Sequence, residues 1–198
     1  MARGWPVTLR DGQVGVRPLA RRDATTWSRL RADNLEWLAP WEATLPPGAG
    51  PSPISYVTMI SGLRRRAREG KVMPFAVTWE GQMVGQLTVN AITGGSAQSA
   101  SIGYWVARSH AGRGITPTAV ALVTDHLLGP AGLHRVDIAI RPENAASLRV
   151  VEKLGFQRIG IAPRYLHIAG DWQDHVLFQL TSEDVPEGVL RRWHRRHV

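Results

Sequence analysis

Apolar and polar positions alternate at Val14 and Val16, and the alternation stops at Arg17-Pro18, which predicts a first strand. Asp23 then precedes Trp27, Leu30 and Arg31, a helical spacing with a capping residue at its start. Residues 54–69 repeat the helical spacing and end in Arg64-Arg65-Arg66, a cationic terminus that suits the helix dipole. Between the two helices, residues 45–53 (LPPGAGPSP) resist both helix and strand and predict a loop.

A meander follows. Phe75-Ala76-Val77-Thr78-Trp79 turns at Glu80-Gly81 into a strand over residues 83–89, and another strand covers 100–106 after Gly94-Gly95. Residues 117–128 are helical in pattern, 135–140 alternate as a strand, and 145–154 form a helix that stops at Gly155. Strands at 159–168 and 172–180 meet at Ala169-Gly170, and a basic helix over 189–197 closes the chain. Strands interleaved with helices predict an α/β fold with a mixed sheet of six or seven strands. The 198 residues suit a single domain, with its body at about 14–181 and a basic tail at 182–198.

Composition narrows the chemistry. A hydrophobic fraction of 43% is that of a folded protein, and no apolar run is long enough to span a bilayer. The opening MARGWPVTLRDGQ has no apolar signal core, so a cytoplasmic protein without a membrane partner is expected. The absence of cysteine excludes a disulfide framework, a thiol nucleophile and a thiolate zinc site. The net charge of +8 comes almost wholly from arginine, since Lys71 and Lys153 are the only lysines. It fits either arginine-rich codon usage or an anionic partner, a phosphorylated cofactor or a ribonucleoprotein surface. His194 and His197 stand three apart without further ligands, so no metal is expected. The tryptophans read as core and loop anchors.

One strand-to-helix junction carries a site. Tyr104-Trp105-Val106 leads through Ser109-His110-Ala111 to Gly112-Arg113-Gly114-Ile115-Thr116-Pro117. Pro117 suits a first helical turn, Thr116 is placed to cap, and glycines expose backbone N–H groups to an anion, most naturally a pyrophosphate. A third glycine of the dinucleotide fingerprint would fall on Pro117, and the Gly-Lys-Ser/Thr of a triphosphate loop is missing. Farther on, Asn144, Ser147 and Val151 share one helical face, offering an amide and, one turn along, a hydroxyl.

In order and spacing, these two segments resemble the GNAT superfamily of acetyl-CoA-dependent N-acetyltransferases, over roughly residues 14–180. The resemblance implies acetyl-CoA as co-substrate, lying in the splay between the central strands. Backbone groups of Tyr104, Trp105 and Val106 would contact pantetheine, Gly112, Arg113, Gly114, Ile115 and Thr116 would hold the pyrophosphate, and Asn144 would bind the pantetheine arm. The family's Q/R-x-x-G-x-G motif begins with Ser109 here, and the tyrosine many members use as general acid falls at Val151, so Ser147 is the expected replacement. The segments 33–42 (DNLEWLAPWE), 164–168 and 170–175 are similar to the RimJ/RimL group, which acetylates ribosomal-protein N-termini. That likeness implies direct acetyl transfer to a protein α-amine, with no nucleic-acid binding required. Monomer and homodimer both remain open. Glu42, His167 and Asp174 are the candidate bases on the acceptor side. Acetylation of a small amine (an antibiotic or polyamine) and a basic RNA-binding module on the same scaffold are the alternatives.

Overall fold

The computed structural model describes residues 1–50 and 55–195. The chain runs β1 (Leu9–Asp11), β2 (Val14–Pro18), α1 (Ala24–Asp33), α2 (Leu35–Leu38), α3 (Tyr56–Arg68), β3 (Met73–Trp79), β4 (Gln82–Thr93) and β5 (Ser99–Val106). It continues through α4 (Ile115–Leu128), β6 (Arg135–Ile140), α5 (Ala145–Leu154), β7 (Gln157–Ile168), β8 (Asp171–Thr181) and α6 (Val189–Arg195). The eight strands form one sheet in the order β1-β2-β3-β4-β5-β6-β8-β7.

The strand beyond the seven expected is β1, which pairs with β2 across a two-residue turn at Gly12-Gln13. Three residues are too few to show an alternation, so the hydrophobic pattern is silent there. The cap expected from Asp23 is not formed. Its carboxylate instead accepts from the Ala20 amide at 2.8 Å and from Arg17 at 2.9 and 2.7 Å, a charged pair that outcompetes the helix amides. Helix α3 begins at Tyr56, with the Thr58 amide donating to the hydroxyl of Ser55. The expected start at Ile54 and the end of the 45–53 loop lie outside the described residues, as does His197 of the tail helix. No helix among the described residues is long and apolar enough to cross a membrane.

Every strand pair is antiparallel except β5 and β6. Those two run parallel and pair only at Ser99↔Arg135, Ala100↔Val136 and Ser101↔Asp137. Beyond that point β5 stays with β4 as far as Val106, and β6 stays with β8 as far as Ile140. The sheet's twist therefore carries its two halves apart and opens a cleft at its centre.

On one face, Leu87, Val89, Ile102, Val136 and Ile138 pack against α4 and α5 in the main core. Helix α4 is buried nearly all round, and its apolar residues, among them Ile115, Val120, Val123 and Leu127, lie on more than one face. Burial of Leu127 and Leu154, both fully enclosed, contributes ~1.5–3 kcal/mol each. The other face carries a smaller cluster, Leu19, Tyr56, Ile60, Ala76 and Met83, beneath α1 and α3. The tail belongs to the body: Trp193 of α6 lies in the main core, and the Asp125 carboxylate of α4 accepts from the Val189 and Leu190 amides.

Candidate active site

The junction from β5 to α4 is built to present amides. The N-cap position of α4 is Gly114, at φ 76°, and no side chain caps the helix. Thr116 is therefore not the cap the spacing suggested; it sits inside the first turn. The first intrahelical bond runs from Thr118 N to Gly114 O, and Pro117 has no N–H. The amides of Gly112, Arg113, Gly114, Ile115 and Thr116 make no hydrogen bond among the described residues. Gly112, at φ 78°, has open space where a Cβ would stand, and at Gly114 the only near neighbour is Trp193, at 3.5 Å. This is a row of unspent donors at the positive end of a helix, the arrangement that binds pyrophosphate.

The approach to the cradle is held from the other sheet face. The Arg108 amide donates to Asn34 Oδ1 at 2.7 Å, and Trp37 Nε1 donates to the Val106 carbonyl at 3.1 Å. Gly85 lies against the same strand end, where any Cβ would collide with the Trp105 carbonyl. The end of β5 is thus fixed while its edge toward β6 stays unpaired.

Helix α5 starts beside the cleft. Asn144 caps it, its Oδ1 accepting from the Ser147 amide at 3.1 Å, so the side-chain amide nitrogen is the part left for a ligand. Ser147 is half-buried, whereas Val151 is fully enclosed in the main core. The Tyr104 phenol is pushed up to about 12 by burial, with a partial opposing pull from the Ser147 hydroxyl.

The segments expected on the acceptor side are joined into one wall. Ala43 bridges to Ile168, the Thr44 amide donates to His167 O at 2.9 Å, and the Ala169 amide donates to Glu42 O at 3.3 Å. Arg141, at the end of β6, lies over the Trp41 ring and donates to Pro40 O at 2.9 Å, tying this wall to the cleft. Glu42 forms an ion pair with Arg31, whose guanidinium lies over Trp27 and, at 5.5 Å, over Trp105 on the splayed strand.

Glu42 and His167 therefore meet on one wall. The Nδ1 of His167 is bonded to Thr44 Oγ1 at 2.7 Å, and its ring stands edge-on to Trp172. Asp174 accepts from the Arg164 amide at 2.8 Å, holding the irregular middle of the β7–β8 hairpin. Arg31, Trp37 and Arg141 are missed by sequence reasoning, because the contacts that bring them to the cleft, with Trp105, Val106 and Pro40, span 69 or more residues. His175 is missed as well: it is buried, its Nδ1 lies 2.9 Å from Gln173 O, and burial lowers its pKa. Among the described residues no group of three or more His, Asp or Glu side chains is arranged to hold a metal ion.

A protein-family model described as an acetyltransferase (GNAT) domain matches residues 13–157. The chain belongs to the GNAT acetyltransferases. It is 36% identical over 185 residues to the probable N-acetyltransferase YjcK of Bacillus subtilis (strain 168), spanning 89% of this chain and 98% of that protein. It is 27% identical over 187 residues to the ribosomal protein uS5-alanine N-acetyltransferase of Escherichia coli (strain K12), spanning 92% and 94% of the two chains. In structure it is similar to Mycobacterium smegmatis RimJ in complex with CoA-disulfide, with a TM-score of 0.93 and 38% identity over 99% of this chain and 97% of that one. As a GNAT protein, the chain is an N-acetyltransferase of the RimJ/RimL-like group, and its mixed sheet with a central splay is the fold that the resemblance implied.

Proposed function

We propose that this protein transfers the acetyl group of acetyl-CoA directly to the α-amine of a protein N-terminus, of the ribosomal-protein type, in the cytoplasm. The observation that carries this reading is the continuity of cradle, splay and acceptor wall in one cleft. A phosphorylated arm fits the free amides from Gly112 to Thr116, and the unpaired edges of β5 and β6 suit an amide-bearing pantetheine. The relatives that act on ribosomal-protein alanine support the choice of acceptor, since the likeness spans nearly both full chains.

Backbone groups of Tyr104, Trp105 and Val106 line the pantetheine, with the side-chain amide of Asn144 across the cleft. Glu42, held in place by Arg31 over Trp105, locates the incoming ammonium and passes its proton to solvent. An unperturbed α-amine titrates near ~8, so this base has only modest work to do; a lysine side chain near ~10.4 would demand more. His167 and Asp174, engaged by Thr44 and by the Arg164 amide, shape the wall. A backbone N–H at Val106 stabilises the carbonyl oxygen as charge develops on it. Ser147 supplies the proton that the departing sulfur takes. Holding both reactants in one cleft contributes up to ~7–11 kcal/mol toward the barrier.

The test is mass spectrometry of peptides incubated with labelled acetyl-CoA. Peptides beginning with alanine or serine should be acetylated, and the same peptides with a blocked N-terminus and a free lysine should not. Faster turnover on aminoglycosides or polyamines, or salt-sensitive RNA binding without turnover, would overturn the reading.

A further inference from the structure

The Tyr104 hydroxyl is buried, yet it has no hydrogen-bond partner of normal geometry among the described residues. A phenylalanine would fill the same space without the cost of removing a hydroxyl from water, ~1–3 kcal/mol for an unpaired group. A buried polar atom left in this state calls for a partner or a role. Side chains of β5 alternate across the sheet: Ala100, Ile102 and Tyr104 pack on the main core, on the side of α4 and α5, while Trp105 faces Arg31. Tyr104 thus lies beneath the cleft on the side of Ser147, and the Ser147 hydroxyl is the side-chain group that interacts with it.

We infer that Tyr104 is a positioning residue for acyl transfer: its hydroxyl donates to Ser147 Oγ and thereby turns the Ser147 proton toward the thioester sulfur. This rests on the role of Ser147 proposed above. A serine hydroxyl rotates freely, and near the start of a helix it competes for its own backbone carbonyls. A phenol that donates to Oγ occupies a lone pair and leaves the Ser147 hydrogen to point at another acceptor. Tyr104 suits this because its raised pKa keeps it protonated through the working range, so it is a permanent donor.

The proton balance closes without moving the tyrosine's hydrogen. The ammonium first gives one proton to solvent through Glu42; the neutral nitrogen then forms the new bond to the carbonyl carbon and loses a second proton to solvent by the same route. The carbon–sulfur bond breaks with its electron pair on sulfur, which takes a proton from Ser147; solvent restores that proton, so one proton is released to water overall.

The test is Tyr104→Phe, which removes only the hydroxyl, alone and combined with Ser147→Ala. The expected result is a fall in kcat of about 3- to 10-fold, the loss of one hydrogen bond, with KM for acetyl-CoA unchanged. Ser147→Ala alone should fall further, by ~10²-fold, and the double variant should match it. A second readout is independent of turnover: the thiol pKa of bound CoA, followed by its thiolate absorbance. It should rise in Tyr104→Phe and fall with 3-fluorotyrosine at position 104, which keeps the ring and makes a stronger donor. Should Tyr104→Phe fail to fold, the fluorinated enzyme decides alone. Wild-type kcat and an unmoved thiol pKa in the Tyr104 variants, with Ser147→Ala impaired, would overturn this inference and leave Ser147 in place. A wild-type Ser147→Ala would instead remove Ser147 itself, and the role of Tyr104 with it.

Discussion

Removing one carboxylate at the far end of α4 should weaken the cofactor cradle at its near end. Asp125 accepts from Val189 N at 2.6 Å and from Leu190 N at 3.0 Å, so it caps α6 from a neighbouring helix. Helix α6 in turn sets Trp193 against the cradle: its Nε1 donates to Thr118 Oγ1 at 3.0 Å, and its ring stands beside Gly114. In Asp125→Ala two helix-start amides lose a charged acceptor. Losing a side-chain cap costs ~0.5–2 kcal/mol, and a hydrogen bond to a charged group is worth ~1.5–3 kcal/mol. Because the second amide can be partly rehydrated, a total of ~2–3 kcal/mol is expected. For a domain of this size each kcal/mol shifts the melting temperature by ~2–4 °C, so a fall of ~4–12 °C should appear in calorimetry. Looser docking of Trp193 should also weaken CoA binding several-fold by isothermal titration. Trp193→Phe, which keeps most of the packing but loses the bond to Thr118, should cost only ~0.5–1.5 kcal/mol. An Asp125→Ala variant with an unchanged melting temperature and unchanged CoA affinity would refute the claim that the tail helix buttresses the cradle.

Two further outcomes follow from the same geometry. Gly112→Val with Gly114→Val places β-branched side chains at positive φ and over the free amides, so CoA affinity should drop at least ~10-fold by calorimetry while the far-ultraviolet spectrum keeps its native shape; unchanged affinity would move the pyrophosphate elsewhere. His126 is buried with its Nε2 unpartnered, and burial lowers its pKa below the ordinary 6.5. The unfolded chain therefore binds the proton first, so its contribution to stability is full above about pH 6.5 and is lost as the pH falls, by up to ~1.4 kcal/mol per pH unit for one proton. His126→Leu should flatten that part of the acid limb in denaturant titrations, leaving the slope that His175, lowered in the same way, supplies.

Local pattern alone placed most elements, and it did so because the signals are short-range. Strand β6 at residues 135–140 and helix α5 at 145–154 were legible to the residue, since strict alternation and a terminating glycine at Gly155 are local facts. The amide row from Gly112 to Thr116 was legible for the same reason: glycines and a proline at a strand-to-helix junction determine backbone donors without help from distant residues. What the chain order could not reveal are contacts set by how the sheet folds over itself. The three-residue β1 exists only because β2 offers it an edge. Asp23 had a helix to cap and an arginine to pair with, and the bidentate charged pair won once β2 brought Arg17 within 2.7 Å. The acceptor wall is the largest such case. Glu42 reaches the cleft through Arg31 and Trp105, and Trp37 spans 69 residues to Val106. The sequence by itself determined the elements and the glycine turn with its free amides, because backbone chemistry is local. Only the tertiary structure decided which side chains meet at the cleft, because the parting of β5 from β6 is a property of the whole twisted sheet.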